Sequence, residues 1–298
     1  MNRSASGFLF SVLLLLSACG LNNPQDSAQS PASSSQTYIE NKGSDTLVNL
    51  ALAWAEKYQY DYPEVQISVT GGGSGTGFTA LINGTIDLAN ASRGIKPEEI
   101  DEAQKNGFEP IEFIVANDAI AVIVNPLNSI SQLTLEQVSR IYKGEYTNWL
   151  ELGGEDRPIV RLSRETNSGT HVYFLEEVVR LGSKDDKSIF SSDTLLLPSS
   201  EGIISEVRDN PNAIGYDGLG YVTEEVKMVA LASTPGGDYI LPSAQTVKNG
   251  QYPIARHLFM YTRGQPEGII KAYLDWIISA EAQKIVTELG FVPIASQQ

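Results

Sequence analysis

A short alternating strand, "EVQISV" at 64–69, runs without a spacer into "TGGGSGTGF" at 70–78, and a helical pattern restarts at Phe78, Leu81 and Ile82. Gly71, Gly72, Gly73, Gly75 and Gly77 leave room for only Ser74 and Thr76 among them, so this loop cannot form core. Each glycine gives up about 0.5–1 kcal/mol of chain entropy relative to Ala. A loop that accepts such a cost brings backbone amides close to something, with two hydroxyls among them. A strand that passes through such a loop straight into a helix start is also the repeating unit of α/β architecture.

The rest of the chain repeats that unit. "YIENKGSD" reads as a strand and turn, followed by a helix with Leu47, Leu50, Ala51, Trp54, Ala55 and Tyr58 on one stripe and Ser44 or Asp45 as N-cap. "IDLANAS" reads as a strand, and a helix opens at Pro97 and stops near Gly107. "IEFIV" and "DAIAVIV" have the β-branched character of buried strands. "LTLEQVSRIYKG" is a helix with a Thr134/Gln137 capping box and Gly144 as its stop. "PIVRL" is a strand whose following loop, "RETNSGT", enters a helix carrying Val172, Leu175 and Val179. "NAIGY" and "HLFMYT" read as strands, and "EGIIKAYLDWIIS" and "AEAQKIVTELG" as closing helices. The expectation is an α/β protein with mainly parallel sheets and no internal repeat.

Such a sheet presents its strand ends and helix N-termini on one edge, where ligands bind. Helix N-termini carry unpaired N–H groups and the positive end of the helix dipole, so they attract anions. Three strand-to-helix loops carry hydroxyls: Ser44 and Thr46, Ser74 and Thr76, and Ser168 and Thr170. The third also has Arg164, close enough in sequence to grip the same ligand in a bidentate way. Each loop alone reads as a Ser/Thr cap with a Gly for tight turning; together, with an arginine, they point to an oxyanion. The glycine loop is no known nucleotide or nucleophile motif. Phe78 stands where a P-loop needs Lys, and Thr76 where a hydrolase elbow needs Gly.

The N-terminus bounds where the chain works. "MNRSASGFLFSVLLLLSACG" has Arg3, an apolar run from Phe8 to Leu16 and then small residues, too short to span a bilayer but suited to an export signal. "LSAC" resembles the lipobox of bacterial lipoproteins, which implies a signal peptide over 1–19 that ends at a lipidated Cys19. Cys19 is the only cysteine, so neither a disulfide nor a thiolate metal cluster is available. Residues 20–36 are polar, contain Ser and Pro, and read as a disordered tether. A net charge of -15 and no run of Lys and Arg exclude nucleic acid as a partner.

"KGSDTL", "GGGSGTGF", "IDLANASRGI" and "SRETNSGTHVYF" occur in the order and spacing of the phosphate-binding proteins that serve phosphate ABC importers, and the chain resembles that family from about Thr37 onward. The resemblance implies a type 2 periplasmic-binding-protein-like fold of two α/β lobes closing on phosphate. Lobe I would hold 37–123 and 247–298 and lobe II 124–246, with crossings near Ile123–Asn125 and Ala244–Pro253. It implies a monomeric, lipid-anchored receptor at the cell envelope, with permease subunits as partners and no cofactor or metal. Ser44, Asp45, Thr46, Ser74, Thr76, Arg93, Arg164, Ser168, Gly169 and Thr170 would bind the ligand. Some members carry an Asp directly after the Ser of "x-S-D", as acceptor of the phosphate proton; here Arg93 stands there. The acceptor expected instead is Asp45, with Arg93 as a second cationic ligand or as the ion-pair partner of Asp45.

Other readings of the same pocket are a receptor for sulfate or molybdate, a phosphate-sensing surface lipoprotein, and a phosphohydrolase. An enzyme needs a positioned nucleophile or base. Only His171 and His257 are available, and His171 falls inside a helix start. Two histidines and a lipid-bearing cysteine make no zinc site.

Overall fold

The computed structural model describes residues 37–294; the signal sequence, Cys19 and the whole of the 20–36 tether lie outside the described residues. The chain runs β1 (Thr37–Gly43), α1 (Asp45–Asp61), β2 (Val65–Thr70), α2 (Ser74–Ile82), β3 (Leu88–Ala91), α3 (Pro97–Lys105) and β4 (Pro110–Val124). It continues through β5 (Gln132–Thr134), α4 (Leu135–Tyr142), β6 (Val160–Arg164), α5 (Gly169–Phe174), β7 (Leu195–Leu197), α6 (Ser200–Asp209) and β8 (Ala213–Gly218). Last come β9 (Lys227–Met228), β10 (Ala230–Ala232), α7 (Ala244–Lys248), β11 (Ala255–Arg263), α8 (Gly268–Ile277) and α9 (Ala280–Glu288).

Two lobes share one strand. The sheet order is β2-β1-β3-β11-β4-β8-β6-β7, with β9 also on β4 and β5 paired with β10. The first part of β4, Pro110–Ala119, pairs with β11, and the remainder, Ile120–Val124, pairs with β8. The "IEFIV" and "DAIAVIV" runs are thus one strand. Its start runs between half-buried and exposed residues, and its end, from Asp118 to Val124, is buried throughout because both sheet faces are covered there. The partner changes between Ala119 and Ile120, and the Ile120 N–H donates to the Ile254 carbonyl at 2.9 Å, so the outgoing and returning chains lie side by side. Within each lobe the pairs β1–β2, β1–β3, β6–β7 and β6–β8 are parallel, as expected. The centre is not. β4 leaves the first lobe and β11 re-enters it, so these two neighbours run antiparallel.

The closing helices pack where the sheet needs cover. Trp54 of α1 is fully buried and donates its indole N–H to the Ala282 carbonyl of α9 at 3.0 Å. Gln283 of α9 donates to the Val115 carbonyl of β4 at 2.9 Å. Thr134 and Gln137 form the expected capping box on α4, and Gly144 ends that segment at φ 81°. α1 departs from expectation. Ser44 precedes it, but its hydroxyl does not cap the helix start and donates to Ser92 instead.

The glycine loop is explained by two close approaches. Gly73 has φ 89°, and a Cβ there would lie 2.7 Å from the Asn167 carbonyl oxygen across the cleft. At Gly77 a Cβ would lie 2.8 Å from both Gly43 Cα and the Lys42 carbonyl oxygen, so the first turn of α2 rests directly on β1. Gly77→Ala must push α2 off the sheet, and should lower unfolding stability by about 1–3 kcal/mol. Urea denaturation checks this, and an unchanged midpoint would contradict the close packing.

Candidate anion-binding site

Loops from both lobes meet at the carboxyl ends of β1, β2, β3 and β6. Ser44, just after β1, donates its hydroxyl to Ser92 Oγ at 2.9 Å. The Ser92 N–H donates to Ser74 Oγ at 3.0 Å, and the two hydroxyls lie 3.3 Å apart. These serines are buried. Gly169 of the second lobe presses on them, since a Cβ there would fall 2.4 Å from Ser74 Oγ and 2.5 Å from Ser92 Oγ. Thr46 and Thr170, one from each lobe, share a hydrogen bond of 2.8 Å. Ser168 caps α5, accepting from the N–H groups of Thr170 and His171. The Gly75 N–H donates to the Asn167 carbonyl at 3.0 Å, and the Asn167 amide donates to the Gly72 carbonyl at 2.8 Å. The lobes are closed on each other.

Two arginines enter this cluster, each held by carboxylates, of which Asp118 and Asp217 are buried and Asp45 half-buried. Arg164, at the end of β6, has no exposed side-chain surface. Its Nη2 donates to Asp45 Oδ2 and to the Pro198 carbonyl, both at 2.9 Å, and its Nη1 donates to Ser200 Oγ at 2.8 Å. Asp217 lies 3.5 Å from Nη1 and accepts from Ser200 and from the Gly218 N–H. Nε of Arg164 is buried and makes no hydrogen bond to any described residue. Arg256, on β11, donates from Nη2 to Asp118 Oδ2 at 3.0 Å and to Thr170 Oγ1 at 3.0 Å, with Thr46 Oγ1 at 3.4 Å. Its Nη1 donates to the Ser92 carbonyl at 2.9 Å, and its guanidinium sits 5.5 Å from the ring centre of Tyr173.

Burial sets the protonation chemistry. It pushes the Asp118 carboxyl up to about 6, against the opposing pull of Arg256. Asp217 is raised for the same reason, with Arg164 opposing. Burial holds His171 below the usual imidazole range; its Nδ1 lies 2.8 Å from the Arg164 carbonyl, which can only accept, so that nitrogen carries the proton. His171 therefore fixes the backbone of Arg164. His257 is exposed, and its Nδ1 is hydrogen-bonded to Asn117 Oδ1. Among the described residues no group of His, Cys, Asp and Glu could hold a metal ion, and no helix is long and apolar enough to cross a membrane.

Of the residues singled out from sequence, Ser44, Asp45, Thr46, Ser74, Arg164, Ser168, Gly169 and Thr170 are brought together. Two are not. The Thr76 hydroxyl turns back to the Gly72 and Gly73 carbonyls of its own loop, each at 2.7 Å. Arg93 forks onto Glu99 at 2.7 and 2.8 Å and lies 4.8 Å from the Phe78 ring centre, so it is neither a second cation of this cluster nor the partner of Asp45. Asp45 is no free acceptor either. One carboxylate oxygen accepts from Arg164 and the other from the Gly72 N–H at 2.9 Å, because Asp45 opens α1 beside the glycine loop.

Sequence reasoning missed Ser92, Asp118, Ser200, Asp217 and Arg256. A signal existed for two of them. Asp118 and Arg256 are each a charge at the edge of or inside an apolar strand run, "DAIAVIV" and "YPIARHLFMYT", that was expected to cross between lobes. A charge at such a position needs a partner of opposite sign.

Comparison with known proteins gives the family and the fold. A domain family described as the PBP superfamily domain matches residues 28–281. The phosphate-binding protein PstS of Pseudomonas aeruginosa is 33% identical over 276 residues, covering 87% of this chain and 84% of that protein. PstS of Bacillus subtilis is 30% identical over 297 residues, covering 96% and 92%. A crystal structure from Clostridium perfringens, described as a phosphate ABC transporter substrate-binding protein with bound phosphate, superposes with a TM-score of 0.77 at 31% identity, over 87% of this chain and 100% of that one. An ABC-type phosphate transport receptor from Vibrio cholerae gives a TM-score of 0.68 at 28% identity, over 86% and 100%. With two lobes sharing crossing strands, hydroxyl-bearing helix starts facing each other, and relatives matched along most of their length, the chain belongs to the PBP superfamily and, within it, to the family of the PstS phosphate-binding proteins.

Proposed function

We propose that this chain is an exported receptor that captures inorganic phosphate between its lobes and delivers it to an ABC importer. The observation that carries the reading is the buried meeting of Arg256, Thr46 and Thr170 beside the Ser44–Ser92–Ser74 hydroxyls. Hydroxyls, amides of helix starts and guanidinium groups are donors suited to a desolvated oxyanion. The relatives' names and the phosphate-bound neighbour support the same ligand. They are binding and transport proteins, and the chain is a receptor, not an enzyme.

On this reading the ligand is held by Ser44, Thr46, Ser74, Ser92, Gly169, Thr170 and Arg256, with the unpaired Nε of Arg164 as a further donor. Asp118 takes the part of proton acceptor that sequence alone assigned to Asp45. It is fully buried, partnered by Arg256 and set beside the methyl group of Thr46, as the tight space at Gly218 attests. Its raised proton affinity suits it to share a proton with hydrogen phosphate. Sulfate brings no proton and would face a bare carboxylate. The pairing switch in β4 supports hinges at Ala119–Ile120 and Ile254–Ala255, slightly displaced from a division into 37–123 with 247–298 and 124–246. Anchoring through Cys19, with 20–36 as tether, completes the reading.

Calorimetric titration of the purified protein with phosphate tests it. Saturable one-to-one binding is expected. Arg164→Ala and Arg256→Ala should each weaken it at least 100-fold, about 3 kcal/mol, since a buried anion loses its counter-charge. Wild type without phosphate binding, or either variant binding like wild type, would contradict the assignment. The anchor has its own test. Cys19→Ser should abolish incorporation of a labelled fatty acid while leaving phosphate binding intact, and equal labelling of both proteins would rule Cys19 out.

A further inference from the structure

A second cavity, of about 580 Å³, opens at the rim of the cleft and is lined from both lobes, by Gly75 and Thr76 on one side and Thr166 and Asn167 on the other. It abuts the buried cluster directly, because Gly75 follows Ser74, Asn167 precedes Ser168, and Gly75 and Asn167 are the pair whose hydrogen bond closes the lobes. Four charged side chains line it: Lys42, Arg93, Lys96 and Glu99. Arg93 and Glu99 neutralise each other in a bidentate pair. Lys42, at the end of β1, and Lys96, just before α3, are half-buried, and neither ammonium group forms an ion pair with any described residue. The cavity therefore carries two uncompensated positive charges on a protein whose net charge is -15. Lys96 belongs to the first lobe, yet it lines the same cavity as Thr166, Asn167 and Val172 of the second.

An anion approaching this protein meets overall repulsion, which the hydrogen-bond donors of the closed cluster cannot counter because they are buried. A cavity lined by one sign of charge focuses the field and raises the local concentration of the opposite ion. We propose that this cavity is an encounter site for the anion, where Lys42 and Lys96 collect phosphate before the Gly75–Asn167 contact closes and the buried hydroxyls and arginines take it over. The proposal rests on phosphate being the ligand. It separates roles within one binding event: the lysines set the rate of arrival, and the buried cluster sets the rate of escape.

Stopped-flow measurement of phosphate association and dissociation, over a range of ionic strength, reads those rates separately. In Lys42→Gln/Lys96→Gln the association rate at low salt should fall about tenfold and converge on wild type at high salt, where charges more than about 3 Å apart are screened at 1 M. Its dissociation rate should stay within twofold of wild type. Lys184→Gln/Lys248→Gln removes the same charge from exposed positions elsewhere and should leave the association rate within twofold. Association unaltered in the first pair, or slowed equally in both pairs, would overturn the encounter site while leaving phosphate capture standing. Wild type that binds no phosphate at equilibrium would overturn both.

Discussion

The ion pair between Asp118 and Arg256 ties the architecture to the site. Asp118 belongs to the strand that leaves the first lobe and Arg256 to the strand that returns, opposite each other in the antiparallel ladder. Both are buried, so neither charge is tolerable without the other, and removing one partner of such a pair typically costs about 3–5 kcal/mol. Arg256 then spends its remaining donors on Ser92, Thr46 and Thr170, reaching loops of both lobes. The crossing is thus bonded directly to the loops of both lobes that form the hydroxyl cluster.

Around that crossing, in the proposed reading, the charges are arranged so that an acidic protein can hold an anion. Three carboxylates, Asp45, Asp118 and Asp217, face two arginines. The carboxylates orient the guanidinium groups, while backbone N–H groups and hydroxyls, which carry no net charge, supply the other contacts. In a desolvated cleft such local dipoles outweigh distant surface charge. Asp45 adds a link of a different kind. It joins the first lobe to Arg164 of the second and also fixes the glycine loop through Gly72, so closure and loop shape are set together.

Much of this was legible because it is local. Strand–loop–helix units, the Thr134/Gln137 box and the Gly144 stop follow from spacing and from single residues, and the three hydroxyl loops follow from their position at strand ends. Gly77 was readable as a glycine but not as a contact, since its reason is Gly43 in another element. The misreadings share that cause. Asp45 looked like a helix cap or a free acceptor because nothing near it in sequence reveals Arg164, a residue of the opposite lobe. Arg93 looked like a ligand because Glu99, its partner, sits on the next helix. Asp118 and Arg256 are 138 residues apart and come together only through the β4–β11 ladder. The antiparallel centre of the sheet was hidden likewise: strand patterns give burial, whereas direction depends on the chain having to return.

The central claim is that a buried carboxylate at the crossing reads the proton of the ligand. Asp118→Asn keeps the side-chain shape and an amide oxygen that can still accept from Arg256, loses stability because the buried ion pair is gone, and removes the negative charge that should repel sulfate. Calorimetric titration of wild type and variant with phosphate and with sulfate measures it most directly. The account predicts that the phosphate-to-sulfate affinity ratio falls at least 100-fold in the variant, through weaker phosphate binding and measurable sulfate binding. A folded variant with the wild-type ratio would contradict it.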